Sequence, residues 1–345
     1  MHMSTSSTPR LPFRSRIIGT GGWAPPRVVT NDEMKQYVDT NDEWIVQRTG
    51  IKTRRLIDFE GQCTTSDMAE HAARAALDSA GLTAADIDLI VVGTVTADMK
   101  CPSAAVVLQH KLGAKNAFAF DVGAACAGSG YALSVADKFI TSGGARRALV
   151  IGAETLSTIT NWGDRNTCVL FGDAAGAFIV EGVATDGSEA NGPGLIDIDL
   201  YSDGATWQHI YIPAGGSKKP MTEQDVVDKQ DRLIMNGREV YKFAVRSLTA
   251  AAEKILADNG FTTADVSLVC AHQANLRIIE AISERTNIGL DRFVINIDRY
   301  GNTSSASLPI TFDEARRDGR MKPGDLVLMM SIGAGMTWMA GLYRN

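Results

Sequence analysis

An α/β protein made of two duplicated halves is the fold class that the sequence predicts, and three observations carry it. Strand-like apolar runs alternate with amphipathic helical stretches along the whole chain. The stretch "ALDSAGLTAADIDLIVV" (76–92) parallels "ILADNGFTTADVSLVCA" (255–271): each is a helix end, a glycine C-cap, a short Thr/Ala/Asp turn and a strand. Gly81 matches Gly260 and Asp86 matches Asp265, both 179 residues apart. Further on, "FDVGAACAGSGYALSVADKFITSGGARRALVIGA" shares its layout with "INIDRYGNTSSASLPITFDEARRDGRMKPGDLVLMMSIGA". A period this long indicates a duplicated domain and not a solenoid repeat. The 345 residues suit two such units. The glycine- and Asn/Asp-containing stretch "GVATDGSEANGPG" marks the boundary, dividing the chain into 14–185 and 186–345, with 1–13 as an irregular tail.

Composition narrows the function. Hydrophobic content of 45% and charged content of 21% are ordinary for a globular protein, and the net charge of −6 argues against nucleic-acid binding. "MHMSTSSTPR" lacks the apolar core of a signal peptide, and "LVLMMSIGAGM" is too short and glycine-broken to cross a bilayer. The five cysteines (63, 101, 126, 168 and 270) form no CxxC and pair with no histidine at metal spacing. The chain is therefore expected to be cytoplasmic, without metal or membrane partner. The cluster "GTGGW" (19–23) lacks the full spacing of a dinucleotide-binding loop.

Chemistry concentrates at three strand-to-helix junctions. In "VGAACAGSGY" a buried strand over 117–122 ends before a helix carrying Leu133, Ala136, Phe139 and Ile140 on one face. Cys126 falls between them, where free helix N–H groups favour a thiolate and small neighbours leave the sulfur accessible. A buried structural cysteine would look the same on this stretch alone. In "CAHQANLR", His272 follows an apolar strand and precedes a helix; in "DRYGNTSSAS", Asn302 precedes another. Aligned by the duplication at an offset of 177, Cys126 falls on Thr303, so the two turns should face each other at the junction of the halves.

The ordered motifs "DTNDEWIVQRTGIKTRR", "CPSAA", "AACAG", "LFGDAAGA", "MNGREVYKFAV", "HQANLRII", "NIDRYGNTSSAS" and "GAGMTW" resemble the β-ketoacyl-acyl-carrier-protein synthases III over about residues 14–345. The resemblance implies a thiolase fold, five-layered α-β-α-β-α, in a homodimer with no permanently bound cofactor. It implies a decarboxylative Claisen condensation of an acyl-coenzyme A primer with malonyl-acyl-carrier protein, initiating fatty-acid synthesis. Cys126 would form the acyl thioester, and His272 and Asn302 would hydrogen-bond the malonyl thioester oxygen. For this His272 must be a neutral donor. The backbone N–H groups of Cys126 and Ala334 would form a second oxyanion site. Trp44 and Arg165 would sandwich the adenine, Thr40 and Arg48 would serve the nucleotide end, and Gly237 and Asn275 would line the pantetheine channel.

Arg238, Lys242 and Arg246 recur every four residues and form one helical stripe, which a solvated face would also show. The resemblance assigns carrier-protein docking to Lys242 and Arg277 and leaves Arg246 open. The chain departs from the family pattern at Ser129, where an aromatic is usual, and at Cys101, where a Phe usually limits the partner's acyl pocket. "GAG" and "FGDAAGA" stand where "GGG" and "FGDGAGA" are usual. None of these removes a reactive group; Cys101 leaves the primer open. The competing readings are a starter-unit acyltransferase that loads Cys126 without condensing, and a non-catalytic partner subunit. Retention of His272 and Asn302 opposes the first, and the presence of Cys126 opposes the second.

Overall fold

The repeated glycine-turn motif folds the same way in both halves. Thr83 N and Oγ1 donate to Asp86 Oδ2 at 2.9 and 2.7 Å, and Thr262 N and Oγ1 donate to Asp265 Oδ2 at 2.7 and 2.7 Å. Gly81 (φ 65°) and Gly260 (φ 73°) supply the left-handed residue that ends the preceding helix. The computed structural model describes residues 13–58, 63–185 and 192–345. The expected tail thus lies outside the described residues except for Phe13, which opens the first strand, and residues 186–191 of the expected boundary loop lie outside them as well.

The first half contains β1 (Phe13–Trp23), β2 (Val28–Thr30), α1 (Asp42–Thr49), β3 (Thr53–Arg55), α2 (Thr65–Ala80) and β4 (Leu89–Gly93). It continues through α3 (Ala104–Leu112), β5 (Phe118–Val122), α4 (Gly128–Thr141), β6 (Arg147–Glu154) and β7 (Ala174–Ala184). The second half contains β8 (Gly194–Ser202), β9 (Ile210–Tyr211), α5 (Glu223–Val227), β10 (Ile234–Met235), α6 (Gly237–Asp258) and β11 (Leu268–Ala271). It ends with α7 (Leu276–Thr286), α8 (Ile297–Tyr300), α9 (Ser307–Arg317), β12 (Leu326–Gly333) and β13 (Thr337–Arg344).

One sheet runs β1-β7-β6-β4-β5 and the other β11-β12-β13-β8. Parallel pairs β4–β5, β4–β6 and β11–β12 adjoin antiparallel pairs toward β7 and β13. Alternate residues along each strand feed different layers. Leu89 and Val91 join a central core with Leu133 and Ala136 of α4, Leu308 and Phe312 of α9, and Val327 and Met329 of β12. Ile90 and Val92 face outward onto Met68, Ala72 and Leu108 of α2 and α3. On the other sheet, Val269 and Leu328 pack on Leu248 and Ile255 of α6 and on Ile278 and Ile282 of α7. Helices, sheet, helices, sheet and helices therefore stack in five layers, as the thiolase fold requires.

The offset of 179 residues persists well beyond the turn. It carries β6 onto β12 residue for residue, and the starts of α4 (Gly128) and α9 (Ser307) onto each other. It also carries Ala125 (φ 46°) onto Ser304 (φ 52°), two non-glycine residues in left-handed backbone at the same point of the two turns. The counterpart of Cys126 is therefore Ser305. Thr303, expected from an offset of 177, corresponds to Ala124. The turns do meet: Ser305 Oγ donates to Gly93 O at 2.8 Å, at the end of β4.

Candidate active site

Cys126 sits in a short 3-10 turn (Ala125–Ala127) between the end of β5 and α4, as the strand-to-helix reading expects. Gly333 of β12 packs directly against it. A Cβ added there would lie 2.6 Å from Cys126 N and 2.7 Å from Ala124 O, so only glycine permits the approach. Thr337 Oγ1 donates to Ala124 O (2.9 Å), with Ala334 O also in reach (3.1 Å), tying the "GAGMT" turn to the nucleophile turn. Burial pushes the Cys126 thiol up to about 12, with the nearby Glu154 adding to the rise and a hydrogen bond from Ser304 opposing it. The expected helix-stabilised thiolate is thus countered by desolvation, which costs the charged sulfur more than the charge-favouring contacts return.

His272 is the first residue past β11, and its backbone N–H continues the ladder to Met330 O at 2.8 Å. Its side chain is buried, and burial lowers the imidazole to about 4, so it is neutral across the physiological range. The ring Nδ1 meets Ser307 Oγ at 2.6 Å. Asn302 is held by its backbone to Leu170 O (2.8 Å) and Gly172 N (3.0 Å). Its Oδ1 accepts from Ser304 N at 2.8 Å, so its Nδ2 is the end of the amide left to donate.

Cys126, His272 and Asn302 line one channel of about 1130 Å³, together with Gly333, Ala334 and Ser304. Trp44, Arg48, Arg165, Gly237, Asn275, Lys242 and Arg277 line the same channel. The guanidinium groups of Arg48 and Arg165 each lie 4.7 Å from the Trp44 ring centroid. Trp44 is half-buried, so its ring is both anchored on the core beneath it and presented to the channel. Asn275 caps α7 through Arg277 N (3.0 Å) and donates to Arg48 O (3.0 Å), fixing α7 to the end of α1. Thr40 is the one expected nucleotide residue that the channel lining leaves out. Asn41 caps α1, so Thr40 lies outside the helix, with its Oγ1 buried and unpartnered.

Arg238 and Lys242 reach the channel wall, whereas Arg246 turns away and stacks on Phe243 at 5.4 Å. Lys242 pairs with Glu239 at 2.8 Å in solvent, and Arg277 is exposed. Cys101 is exposed in the segment between β4 and α3 and does not line its own chain's channel; Val95 does. No cluster of metal-ligating side chains occurs among the described residues.

Glu154 is a part of the site that the sequence reading missed. At the end of β6 it is fully buried and accepts from Thr96 Oγ1 (2.5 Å), Val95 N (3.1 Å), Ser304 Oγ (3.1 Å) and Ser305 Oγ (3.1 Å). Burial still pushes its carboxyl up to about 7. It bolts the Asn302 turn to the first half, and its only sequence signal is an acid closing an otherwise apolar strand.

Two family models match, 3-oxoacyl-[acyl-carrier-protein] synthase III over 120–204 and its C-terminal part over 256–345. A β-ketoacyl-[acyl-carrier-protein] synthase III of Caldanaerobacter subterraneus subsp. tengcongensis is 45% identical over 328 residues, 95% of this chain and 97% of that protein. The crystal structure of 3-oxoacyl-[acyl-carrier-protein] synthase III from Aquifex aeolicus superposes with a TM-score of 0.87 at 42% identity, over 96% of this chain and 100% of that one. The priming β-ketosynthase of the R1128 polyketide pathway superposes at 0.86 with 35% identity, over 97% and 98%. With identity this high over nearly the full length, on a five-layer fold whose two halves meet at a shared cysteine, histidine and asparagine channel, the chain belongs to the β-ketoacyl-acyl-carrier-protein synthase III family.

Proposed function

We propose that the chain condenses an acyl-coenzyme A primer with malonyl-acyl-carrier protein, releasing carbon dioxide and forming 3-oxoacyl-carrier protein, the first condensation of fatty-acid synthesis. One observation carries the reading: Cys126 shares a channel with a neutral imidazole and with an amide whose oxygen is already engaged. Acyl transfer needs the first of these, whereas decarboxylation needs donors aimed at an enolate oxygen. Cys126 attacks the primer thioester and coenzyme A leaves. His272 and Asn302 then hold the malonyl thioester oxygen while the carboxylate departs, and the resulting carbanion attacks the acyl-cysteine. The backbone N–H groups of Cys126 and Ala334 support charge on the acyl oxygen. Every group in this scheme is the protein's own, and no bound cofactor takes part.

Trp44, Arg48 and Arg165 hold the adenine end of coenzyme A in this reading, with Gly237 and Asn275 along the pantetheine. Thr40, directly before the α1 cap with its Oγ1 buried and unpartnered, serves the same nucleotide end. The working form is a homodimer joined through the edge of the first sheet, where β5 is unpaired on one side and Phe118, Val106, Val95 and Met99 expose apolar surface. Cys101 lies in the same region, which suits a contact with the partner's primer pocket. All five cysteines are free thiols, and no helix among the described residues is long and apolar enough to cross a membrane, which suits an enzyme of the cytoplasm.

Mass analysis of the product tests the reading. Acetyl-coenzyme A and malonyl-carrier protein should yield 3-oxobutanoyl-carrier protein; acetyl-carrier protein alone would identify a loading acyltransferase instead. In the same assay, Lys242→Glu or Arg277→Glu should raise the KM for malonyl-carrier protein about tenfold and weaken its salt dependence, with the KM for acetyl-coenzyme A unchanged. An unaltered carrier-protein KM in both variants would remove these two residues from the docking surface.

A further inference from the structure

The nitrogen of His272 that faces away from the channel decides what the other nitrogen can do. A neutral imidazole carries one N–H, and it donates to a substrate oxygen from Nε2 only when Nδ1 is bare. We propose that Ser307 is a positioning residue: its hydroxyl donates to His272 Nδ1 and thereby fixes the Nε2–H tautomer that the condensation uses. This inference rests on the reading of His272 as an enolate-oxygen donor.

Ser307 is the first residue of α9 and is buried. Three groups surround its Oγ: His272 Nδ1 at 2.6 Å, Gln273 N at 3.3 Å and Ser304 O at 2.8 Å. The Gln273 N–H can only donate, so it takes one lone pair of the hydroxyl. The single hydroxyl proton must then go either to Nδ1 or to Ser304 O. Ser304 O already accepts the backbone N–H of Ser307, and Nδ1 is the shorter contact. Ser304 O has a second lone pair, so either placement satisfies every group present; the placement on the path to Nδ1 is the one that leaves the histidine proton on Nε2, where the donor role needs it.

The surroundings hold this contact rigid. The Gln273 side chain donates to Ala271 O (2.9 Å) and Val294 O (3.0 Å) and accepts from Asn296 N (3.1 Å) and Ile297 N (3.2 Å), which locks the chain just after His272. On the other side, Ser304 and Ser305 are held by Glu154. The duplication supplies an internal control. The offset of 179 residues carries His272 onto Gly93 and Ser307 onto Gly128. In the first half these two glycines touch backbone to backbone, and a Cβ on Gly93 would lie 2.3 Å from Gly128 C. The fold therefore closes this junction without a side chain on either residue. The hydroxyl and the imidazole are additions specific to the half that carries the decarboxylation pair.

Nuclear magnetic resonance of ¹⁵N-histidine-labelled protein tests the assignment, with the His272 signals identified by their loss in His272→Ala. The wild type should show Nε2 protonated and Nδ1 bare. In Ser307→Ala, Nδ1–H gains access to Ser304 O, so the populations should shift toward the other tautomer. Malonyl decarboxylation should then fall about 10- to 100-fold, less than the loss of the whole donor, with Cys126 acylation within about twofold of wild type. Ser307→Thr, which keeps a hydroxyl at the same place, should restore the wild-type tautomer and most of the rate. A protonated Nδ1 in the wild type, or a Ser307→Ala tautomer and decarboxylation rate equal to wild type, would overturn the proposal. Equal losses in Ser307→Ala and Ser307→Thr with an unchanged tautomer would assign Ser307 to packing alone, and so would also overturn it. Failure of the underlying reading is distinct, because His272→Ala would then retain full decarboxylation.

Discussion

Replacing Cys126 by alanine should leave the protein unable to gain acyl mass from any acyl-coenzyme A, from acetyl to octanoyl, and should abolish condensation. The effect is total because the alternatives are poorly placed. Cys168 and Cys270 are buried away from the channel, Cys63 lies beside α2, and Cys101 is exposed but outside the channel lining. Only Cys126 combines channel access with a place at the N-terminus of a long helix. Intact-mass measurement reads the result directly. Stoichiometric acylation of Cys126→Ala would show that another group is the nucleophile.

His272→Ala and Asn302→Ala should each lower malonyl decarboxylation by about two to three orders of magnitude while leaving most of the acyl transfer. The two side chains approach from different elements, one past β11 and one before α9, so either can be removed without moving the other's anchor. The split between the two half-reactions is the informative result; equal collapse of acylation would show that the roles are not divided in this way.

His272 also leaves a mark on stability. Its folded-state value of about 4 lies below its ordinary 6.5, so folding favours the neutral form. The linked stability is complete above the ordinary value and is lost as pH falls from about 6.5 toward 4, amounting to about 3 kcal/mol. His272→Ala should unfold with a shallower dependence on pH across that window, by urea denaturation at several pH values.

Much of this was legible because its determinants are local. The glycine and the Thr–x–x–Asp box of the repeated turn specify their backbone from adjacent residues, so the duplication could be read directly. Cys126 could be placed because a strand pattern ends and a helix pattern begins within a few residues of it. The exact counterpart of Cys126 was missed because the left-handed residues that align the turns are Ala125 and Ser304, neither of a type that favours that conformation.

Arg246 illustrates a geometric limit. Steps of four residues advance about 400° around a helix, so the stripe drifts by about 40° per step. Two steps carry Arg246 from the channel wall, where Arg238 lies, round to Phe243. Glu154 and Ser307 could not have been found from their neighbours. Their partners, Ser304 and Ser305 for one and His272 for the other, lie 150, 151 and 35 residues away.

The central claim is that one cysteine holds the acyl group while the histidine and asparagine release carbon dioxide to attack it. Its most direct test is a single turnover of wild-type protein already acetylated on Cys126 and mixed with excess malonyl-carrier protein. Intact mass follows the enzyme and isotopic carbon dioxide follows the malonyl group. The acetyl mass should disappear from Cys126 at the rate of carbon dioxide release, one for one, as 3-oxobutanoyl-carrier protein appears. Departure of the acetyl group as acetyl-carrier protein without carbon dioxide would contradict the account, as would carbon dioxide release that leaves the acetyl group on Cys126.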